Sequence, residues 1–403
     1  MSTLRVANIR HNSATSDAIT TAADGTCTAK LTSIGGGQLS HRNIIVNGAM
    51  TISQRGSTFS HVGSSNTNIL TMDRWKIRRS GSNNFDTTIT HSTDSPDGFL
   101  NSLKITPDTT ETPTGSMNGL IEQQIEGQSL QHFAYGTSSA KSITASFYAK
   151  SGSQNNGHNY TLQLRKYDSS DNTRIVTKAF TVTSSWQRFT MTFPGDTSND
   201  IKNSTDYTGF EFIFQLATGP DDLVAEQPTW TSTYTNWRGV TGNSNFMDNT
   251  NNEFYVTGCQ LEVGDTPTSF EHRSYSDELT RCQRYFAVFP GRSGGIPFWQ
   301  CYMGSSSGYC SIPVPNFNFR VVPSPTDATT GTTSSTGNLY DVYGNNINSR
   351  FSGNGTVTLS CGGYAPSGIG LIMNFGTHQS GTKEGVVASW NGAVPGIYLD
   401  AEI

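Results

Sequence analysis

Along several short stretches of this 403-residue chain, apolar and polar side chains alternate with a period of two. Ile143, Ala145 and Phe147 alternate with Thr144 and Ser146, and Leu162 and Leu164 with Gln163 and Arg165. That period puts one set of side chains on each face of a pleated strand, and it leaves no continuous stripe on a helix. Further stretches of strand type are Arg174–Val182, Trp186–Phe193, Phe210–Leu216 and Glu253–Glu262. Turn-forming clusters separate them, such as residues 151–157 (SGSQNNG) and 168–172 (DSSDN). Composition agrees. Charged residues are 14% of the chain against about 25% in ordinary domains, so helix-forming Lys and Glu are scarce. Aromatic residues reach 10% and can fill a core. A coiled-coil rod, a helical bundle and an enzyme built of βαβ units are excluded.

The net charge of −5 gives no basic excess to displace counterions, so nucleic-acid binding is not expected. No apolar run approaches the ~20 residues needed to span a bilayer, and no membrane insertion is expected. The first ten residues, MSTLRVANIR, lack the apolar region of a signal peptide. The expected setting is therefore a cytoplasm, for residence or for assembly. Cys27, Cys259, Cys282, Cys301, Cys310 and Cys361 show no CxxC pair and are read as thiols, not as a zinc site or a disulfide framework.

Four units follow along the chain. Residues 1–40 carry few large apolar side chains and cannot build a core alone. Within them Ala18–Leu31 is expected as a hairpin turning at Asp24-Gly25. Residues 41–273 hold many short antiparallel strands, the pattern of a jelly-roll β-sandwich. A long loop, Thr218–Asn252, interrupts it. Residues 274–286 form a short linking helix, opened by Ser274 and Asp277 as a capping box, with Leu279, Cys282 and Phe286 at helical spacing. Residues 287–403 return to strand patterning and are expected as a small C-terminal β-sandwich. The fold class is all-β.

No catalytic or metal motif is read from the chain: the eight His are dispersed without an HExxH, and no GxSxG, P-loop or GxGxxG is expected to stand after a strand. Asp221-Asp222 is read as a turn, and Glu122 with Glu126 as a solvated strand or strand end. Asp248–Glu253 is read as an Asn-rich turn; its oxygens could also serve a structural Ca²⁺. No cofactor is expected. Aromatic side chains set among Asn and Thr carry the binding expectation, because a ring stacks on a sugar face while amides meet the hydroxyls. The candidates are Trp230, Tyr234 and Trp237 in the long loop, and Trp299, Tyr302 and Tyr309 in the C-terminal unit. Trp186, at the start of a strand, is assigned to the core.

Three phrases in order, His41–Met50 (HRNIIVNGAM), Ser53–Gly56 (SQRG) and Thr71–Trp75 (TMDRW), resemble the opening of bacteriophage tail-fibre and receptor-binding proteins of marine and cyanobacterial viruses. Ile121–Phe133, Thr257–Phe270 and Tyr275–Phe286 are similar to later parts of the carbohydrate-binding-module-like jelly roll in those proteins. The resemblance covers residues 41–286. It implies a virion structural protein, assembled in the host cytoplasm, that attaches to the phage tail or baseplate through residues 1–40. It implies a homotrimer whose distal β domains meet a glycan or protein of the host surface. Recognition is expected in residues 287–403, taken as the free end of the fibre. The alternatives are a polysaccharide-degrading tailspike or glycosidase, and a head-decorating fibre.

Overall fold

The computed structural model describes residues 40–290, except 62–67, 82–84, 204–207 and 235. It also describes residues 400–402, and short strands with a few single residues elsewhere, where the account is mainly of backbone pairing. The molecule is all-β. Two antiparallel sheets form a sandwich. One has six strands in the order Gln187–Phe193, Ile143–Ser151, Phe254–Val263, Ser102–Pro107, Thr87–Ser92, Thr58–His61. The other has seven, in the order Gln227–Thr231, Thr173–Thr181, Asn159–Tyr167, Thr208–Thr218, Asn118–Glu126, Lys76–Ser80, Asn68–Leu70.

The alternation that defines the strands also builds the core. Ile143, Ala145 and Phe147 from the first sheet meet Tyr160, Leu162, Leu164, Phe210, Phe212 and Phe214 from the second, all fully buried. Phe147 lies edge-on to Phe214 at 4.9 Å and to Phe180 at 5.0 Å. Gly258, at φ +61°, sits where the pairing of Phe254–Val263 with its neighbour shifts register between Ser146 and Tyr148. This bulge keeps Val256 and Leu261 on one face although they lie an odd number of positions, five, apart.

The phrases at 43–56 and 71–75 fold into one knot at the sandwich end. The Asn47 side chain donates to the carbonyls of Ile52 (2.8 Å) and Asp73 (2.9 Å) and accepts from the Ile52 N–H (2.9 Å). Its own carbonyl accepts from the buried Trp75 indole at 3.0 Å. Gly48 passes so close to the last sandwich strand that a Cβ would lie 2.1 Å from the Cys259 carbonyl oxygen.

The helix Tyr275–Gln283 follows, with the Ser274 hydroxyl capping the Asp277 N–H at 3.2 Å. It is tied to the sandwich: Glu278 accepts from the Asn47 N–H and pairs with Arg273. Cys282 on the helix and Cys259 in the sheet are free, buried thiols.

At the N-terminus Ile19–Thr21 pairs with Cys27–Ala29, so the expected hairpin is present, with Asn8–Ile9 as a third strand. Asp24-Gly25 lie outside the described residues.

One expectation for the C-terminal unit is corrected. Its six strands Trp299–Met303, Gly308–Pro313, Ile369–Asn374, Thr356–Gly363, Ser334–Asp341 and Val386–Trp390 close into a barrel, not a pair of facing sheets. Both arrangements use period-two strands, and closure removes the exposed edges that open sheets keep. The last described stretch pairs back onto the strand that leaves the sandwich. Gly396–Asp400 pairs antiparallel with Phe286–Pro290, and Ala401 is buried beside Tyr285. Arg55 pairs with Asp400 at 3.3 Å, and Arg74 pairs with Glu402. The chain therefore returns to the sandwich after the barrel.

Gly48→Ala should destabilise the sandwich by about 1–3 kcal/mol, the usual cost of forcing extra volume into a packed site. Urea unfolding of the full chain, followed by tryptophan fluorescence, reads this. An unchanged midpoint would mean that the knot yields freely at Gly48.

Candidate functional site

The long loop expected at Thr218–Asn252 is largely ordered into short elements. These are Leu223–Val224 and Gly239–Val240, paired in parallel, the edge strand Gln227–Thr231 and two 3-10 turns. Its 236–243 segment crosses the outer face of the seven-stranded sheet. The Thr161 hydroxyl accepts from the Val240 N–H at 2.8 Å, and the Gln163 side chain accepts from the Arg238 N–H at 3.0 Å. Gln163 in turn donates to the Asn236 carbonyl at 3.1 Å.

Under this roof lies a layer of buried polar side chains. The strands that send Leu164, Phe212, Ile121 and Ile77 inward send Arg165, Glu211, Glu122 and Arg78 outward. Glu122 and Glu211 are fully buried, which corrects the expectation of a solvated strand for Glu122; Glu126 is likewise buried and pairs with Arg284 at 2.8 Å. Arg165 grips Glu211 with two bonds of 2.6 and 2.8 Å. Arg78 pairs with Glu122 at 2.8 Å and Lys76 with the same carboxylate at 3.5 Å. Gln124 donates to Glu211 at 3.2 Å.

The two carboxyls are driven apart. Burial, reinforced by the charge of Glu211, raises the Glu122 pKa beyond what Arg78 and Lys76 offset. Burial acts upward on Glu211 too, but the Arg165 guanidinium outweighs it and holds the pKa below the ordinary value. Burial and Glu211 together push Tyr167 up to about 12.

The structure separates the three loop aromatics. Trp237 lies over the layer, between the guanidinium groups of Arg78 (4.9 Å) and Arg165 (4.8 Å). Tyr234 is half-buried, with Arg238 at 5.6 Å from its ring. Trp230 instead closes the core at the sheet edge. Its indole donates to the Pro194 carbonyl at 2.9 Å, and its ring meets Tyr135 and Phe210 edge-on at 5.8 Å. Trp299 and Tyr302 lie on one barrel strand and Tyr309 on the next, with Tyr302 paired to Tyr309; the side chains of all three lie outside the described residues. Trp186 is not in the core. It is half-exposed, donates to Asp94 at 3.0 Å and packs on Tyr255, because its position precedes the strand proper.

Six buried polar atoms of this region have no hydrogen-bond partner. They are Asn118 Oδ1, Glu122 Oε2, Gln215 Oε1, Thr218 Oγ1, Trp237 Nε1 and Arg238 Nε. A buried unpaired polar group costs about 1–3 kcal/mol unless water or a ligand meets it. The set mixes acceptors and donors beside an indole ring, the complement of a polyhydroxylated molecule. Sequence reasoning found Trp237 through its polar surroundings. It missed Glu122, Gln215 and Arg165, whose place on this face depends on strand register. Asp222, expected in a turn, ends a 3-10 turn and is buried, pairing with Arg238 and accepting from Asn118 at 2.6 Å. Asp248–Glu253 forms the expected Asn-rich turn, in which Asn252 donates to Asp248 at 2.6 Å.

No protein-family model matches this chain, and no curated protein matches it. Among solved structures it is similar to the enzymatically active domain of tailspike protein 4 of bacteriophage CBA120, at TM-score 0.29 and 11% identity. That match covers 55% of this chain and only 21% of the tailspike chain. It is also similar to the CBM22-1 xylan-binding domain of Paenibacillus barcinonensis Xyn10C, at TM-score 0.29 and 7% identity, over 58% of this chain and all of that domain. A family 11 carbohydrate-binding module from Clostridium thermocellum matches at TM-score 0.26 and 11% identity, over 54% of this chain and 98% of the module. At these scores the likenesses carry no argument about what this chain binds.

Arg165→Met should cost about 3–5 kcal/mol near neutral pH, because it strands the buried Glu211 charge. Glu211→Leu added to it should recover most of that loss. The pH dependence has a definite sign. The lowered Glu211 pKa gives the wild type stability that is present above the unfolded carboxyl range, about 4.3, and lost as pH falls through the folded value. The variant's unpaired carboxyl is instead relieved by taking up a proton. The stability gap should therefore narrow as pH falls toward about 4 in urea titrations; a gap independent of pH would refute the assignment.

Proposed function

We propose that this chain is a virion structural protein of a bacteriophage, a tail fibre that binds host surface glycan. The observation that carries the glycan reading is the layer under Trp237: buried acceptors and donors without partners, beside an indole ring held between two guanidinium groups. Hydroxyls can donate to Glu122 and Gln215 and accept from the Trp237 N–H, and the ring offers a face to sugar C–H groups. The phage reading is supported by the ordered phrases at 41–56, 71–75 and 275–286. Attachment through residues 1–40 and a homotrimer are part of the same proposal. Short strands with few apolar anchors, such as Asn8–Ile9 and Ile19–Thr21, gain stability by pairing with partner edges. The barrel strands 299–390 remain a second candidate contact with the host.

One observation favours a hydrolase as a second reading. Glu122 and Glu211 stand on the same face of adjacent strands with pKa values shifted in opposite directions, as an acid and a nucleophile would be. Binding is the stronger reading, because each carboxylate is already engaged by arginine at 2.6–2.8 Å. Release of reducing sugar from host polysaccharide that disappears in Glu122→Gln would select the hydrolase.

Trp237→Ala should reduce binding to isolated host-envelope polysaccharide by tenfold or more, at about 1–3 kcal/mol for a stacked, hydrogen-bonded ring. The Trp230→Ala variant, by contrast, should lose about 3–5 kcal/mol of stability, as a core aromatic does. Equal binding by Trp237→Ala and wild type would remove the site.

Deleting residues 1–40 should yield a folded β protein that no longer enters particles. Light scattering of the full chain should return three times the mass of one chain. A monomer at micromolar concentration would overturn the trimer.

A further inference from the structure

A cavity of about 230 Å³ lies away from the Trp237 layer. It is formed where segment 41–46, the 3-10 turn Gly127–Phe133 and the C-terminal end of the helix Tyr275–Gln283 meet. Its volume corresponds to roughly eight waters at about 30 Å³ each, the scale of one sugar unit. His41, His132, Arg281 and Arg284 line it, with Ser129 as a further donor, and no carboxylate is among the lining residues. In a chain with 31 acidic and 26 basic residues, such a lining runs against composition.

The balancing acids stand behind the guanidinium groups. Asp277 accepts from Arg281 Nε at 3.3 Å, and Glu126 accepts from Arg284 at 2.8 and 2.9 Å. Arg284 is thus held by two bonds to a buried carboxylate, whereas the Arg281–Asp277 pair is single and solvent-exposed. His132 packs edge-on to Phe133 at 5.1 Å, and burial, then the charge of Lys141, lowers its pKa. The charged groups around it are Lys141, Arg281 and Arg284, with His41 across the cavity. Tyr285, also in the lining, is pushed by burial up to about 12 and stays neutral. His132 thus faces cations without an anion among the lining residues.

We propose that this cavity binds a small oxyanion group, the carboxylate or sulfate of an acidic sugar unit, with Arg281, His132, His41 and Ser129 as donors. The site does not depend on the Trp237 layer. It would give the chain a charge-selective contact with acidic glycans beside a neutral one. A bound anion supplies the partner that His132 lacks, so binding tightens as pH falls through the imidazole range.

Equilibrium dialysis of the full chain against labelled D-glucuronate tests this, with sulfate and D-glucose as competitors. The expected result is one saturable site per chain, displaced by sulfate and not by glucose. Affinity should rise several-fold between about pH 7.5 and 5.5. Arg281→Gln should weaken binding about tenfold, as expected for a lost charge-assisted bond. Arg281→Lys should keep most of the affinity, which separates lost charge from lost structure. The proposal is overturned if no saturable binding occurs, if glucose displaces as well as sulfate, or if Arg281→Gln binds normally. Loss of glucuronate binding in Trp237→Ala would move the ligand to the layer and also overturn it.

Discussion

The buried pair Asn47 and Asp73 is the point through which the rest of the molecule is held. Asn47 adopts φ +55° and Arg74 φ +72°, backbone states that cost energy for side chains of this kind. What offsets the cost is a dense set of hydrogen bonds around them. Asp73 accepts the Gln54 N–H at 2.7 Å and the Gln54 side-chain amide, and that amide also reaches the Phe286 carbonyl at 2.9 Å. Burial raises the Asp73 pKa, with Arg55 as the main counterweight. Arg55 and Arg74 lie over the rings of Phe286 and Tyr285 at 3.6 and 3.4 Å. The opening of the sandwich, the helix and the last strand thus meet at one set of hydrogen bonds. This explains why the N-G, Q-R-G and D-R-W phrases stand out: almost every polar side chain in them has a specific partner.

The polar layer depends on that frame through strand register. The outer face of an antiparallel sheet is ordinarily wet. Here the chain folds back across it, and the face becomes an interior lined with charge. An apolar interior would be as stable or more so, since paired buried charges gain little over well-packed hydrocarbon. What the charges provide is geometry. Arg78 and Arg165 are held by Glu122 and Glu211, and the two guanidinium groups in turn fix the plane of Trp237. The roof itself is fastened through Thr161 and Gln163 rather than through a core of its own. Arg238 adds its ion pair with Asp222 to these bonds.

The sequence showed most where one face is buried and the other wet. Ile143–Ser151, Asn159–Tyr167 and Thr173–Thr181 were legible from alternation to within a residue or two. Asn118–Glu126 was not. Both its faces are buried, so its Glu and Gln residues carry no outward sign of burial. The site was half legible for the same reason. Trp230 and Trp237 share one loop and similar neighbours, yet one finishes the core and the other covers the polar layer. Their difference lies in which strand passes beneath each ring. Trp186 shows the reverse error: a large aromatic at a strand start was assigned inward, but the strand begins one residue later and the ring turns out toward Asp94.

The return of the chain to the sandwich changes how the C-terminal unit is carried. The barrel strands are an excursion between Phe286–Pro290 and Gly396–Asp400, two strands paired from Phe286 with Asp400 to Pro290 with Gly396. A single-strand linker would allow the barrel to swivel about its backbone torsions. The root is instead a three-stranded sheet, in which Gly396–Asp400 pairs with Phe286–Pro290 on one side and with Ser324–Asp327 on the other. At the root, Asp400 and Glu402 are held by Arg55 and Arg74, and Phe286 by Gln54. Arg74 and Glu402 are both buried there, so separating them would strand a charge at a cost of several kcal/mol, and the last described residues are thereby tied to the sandwich.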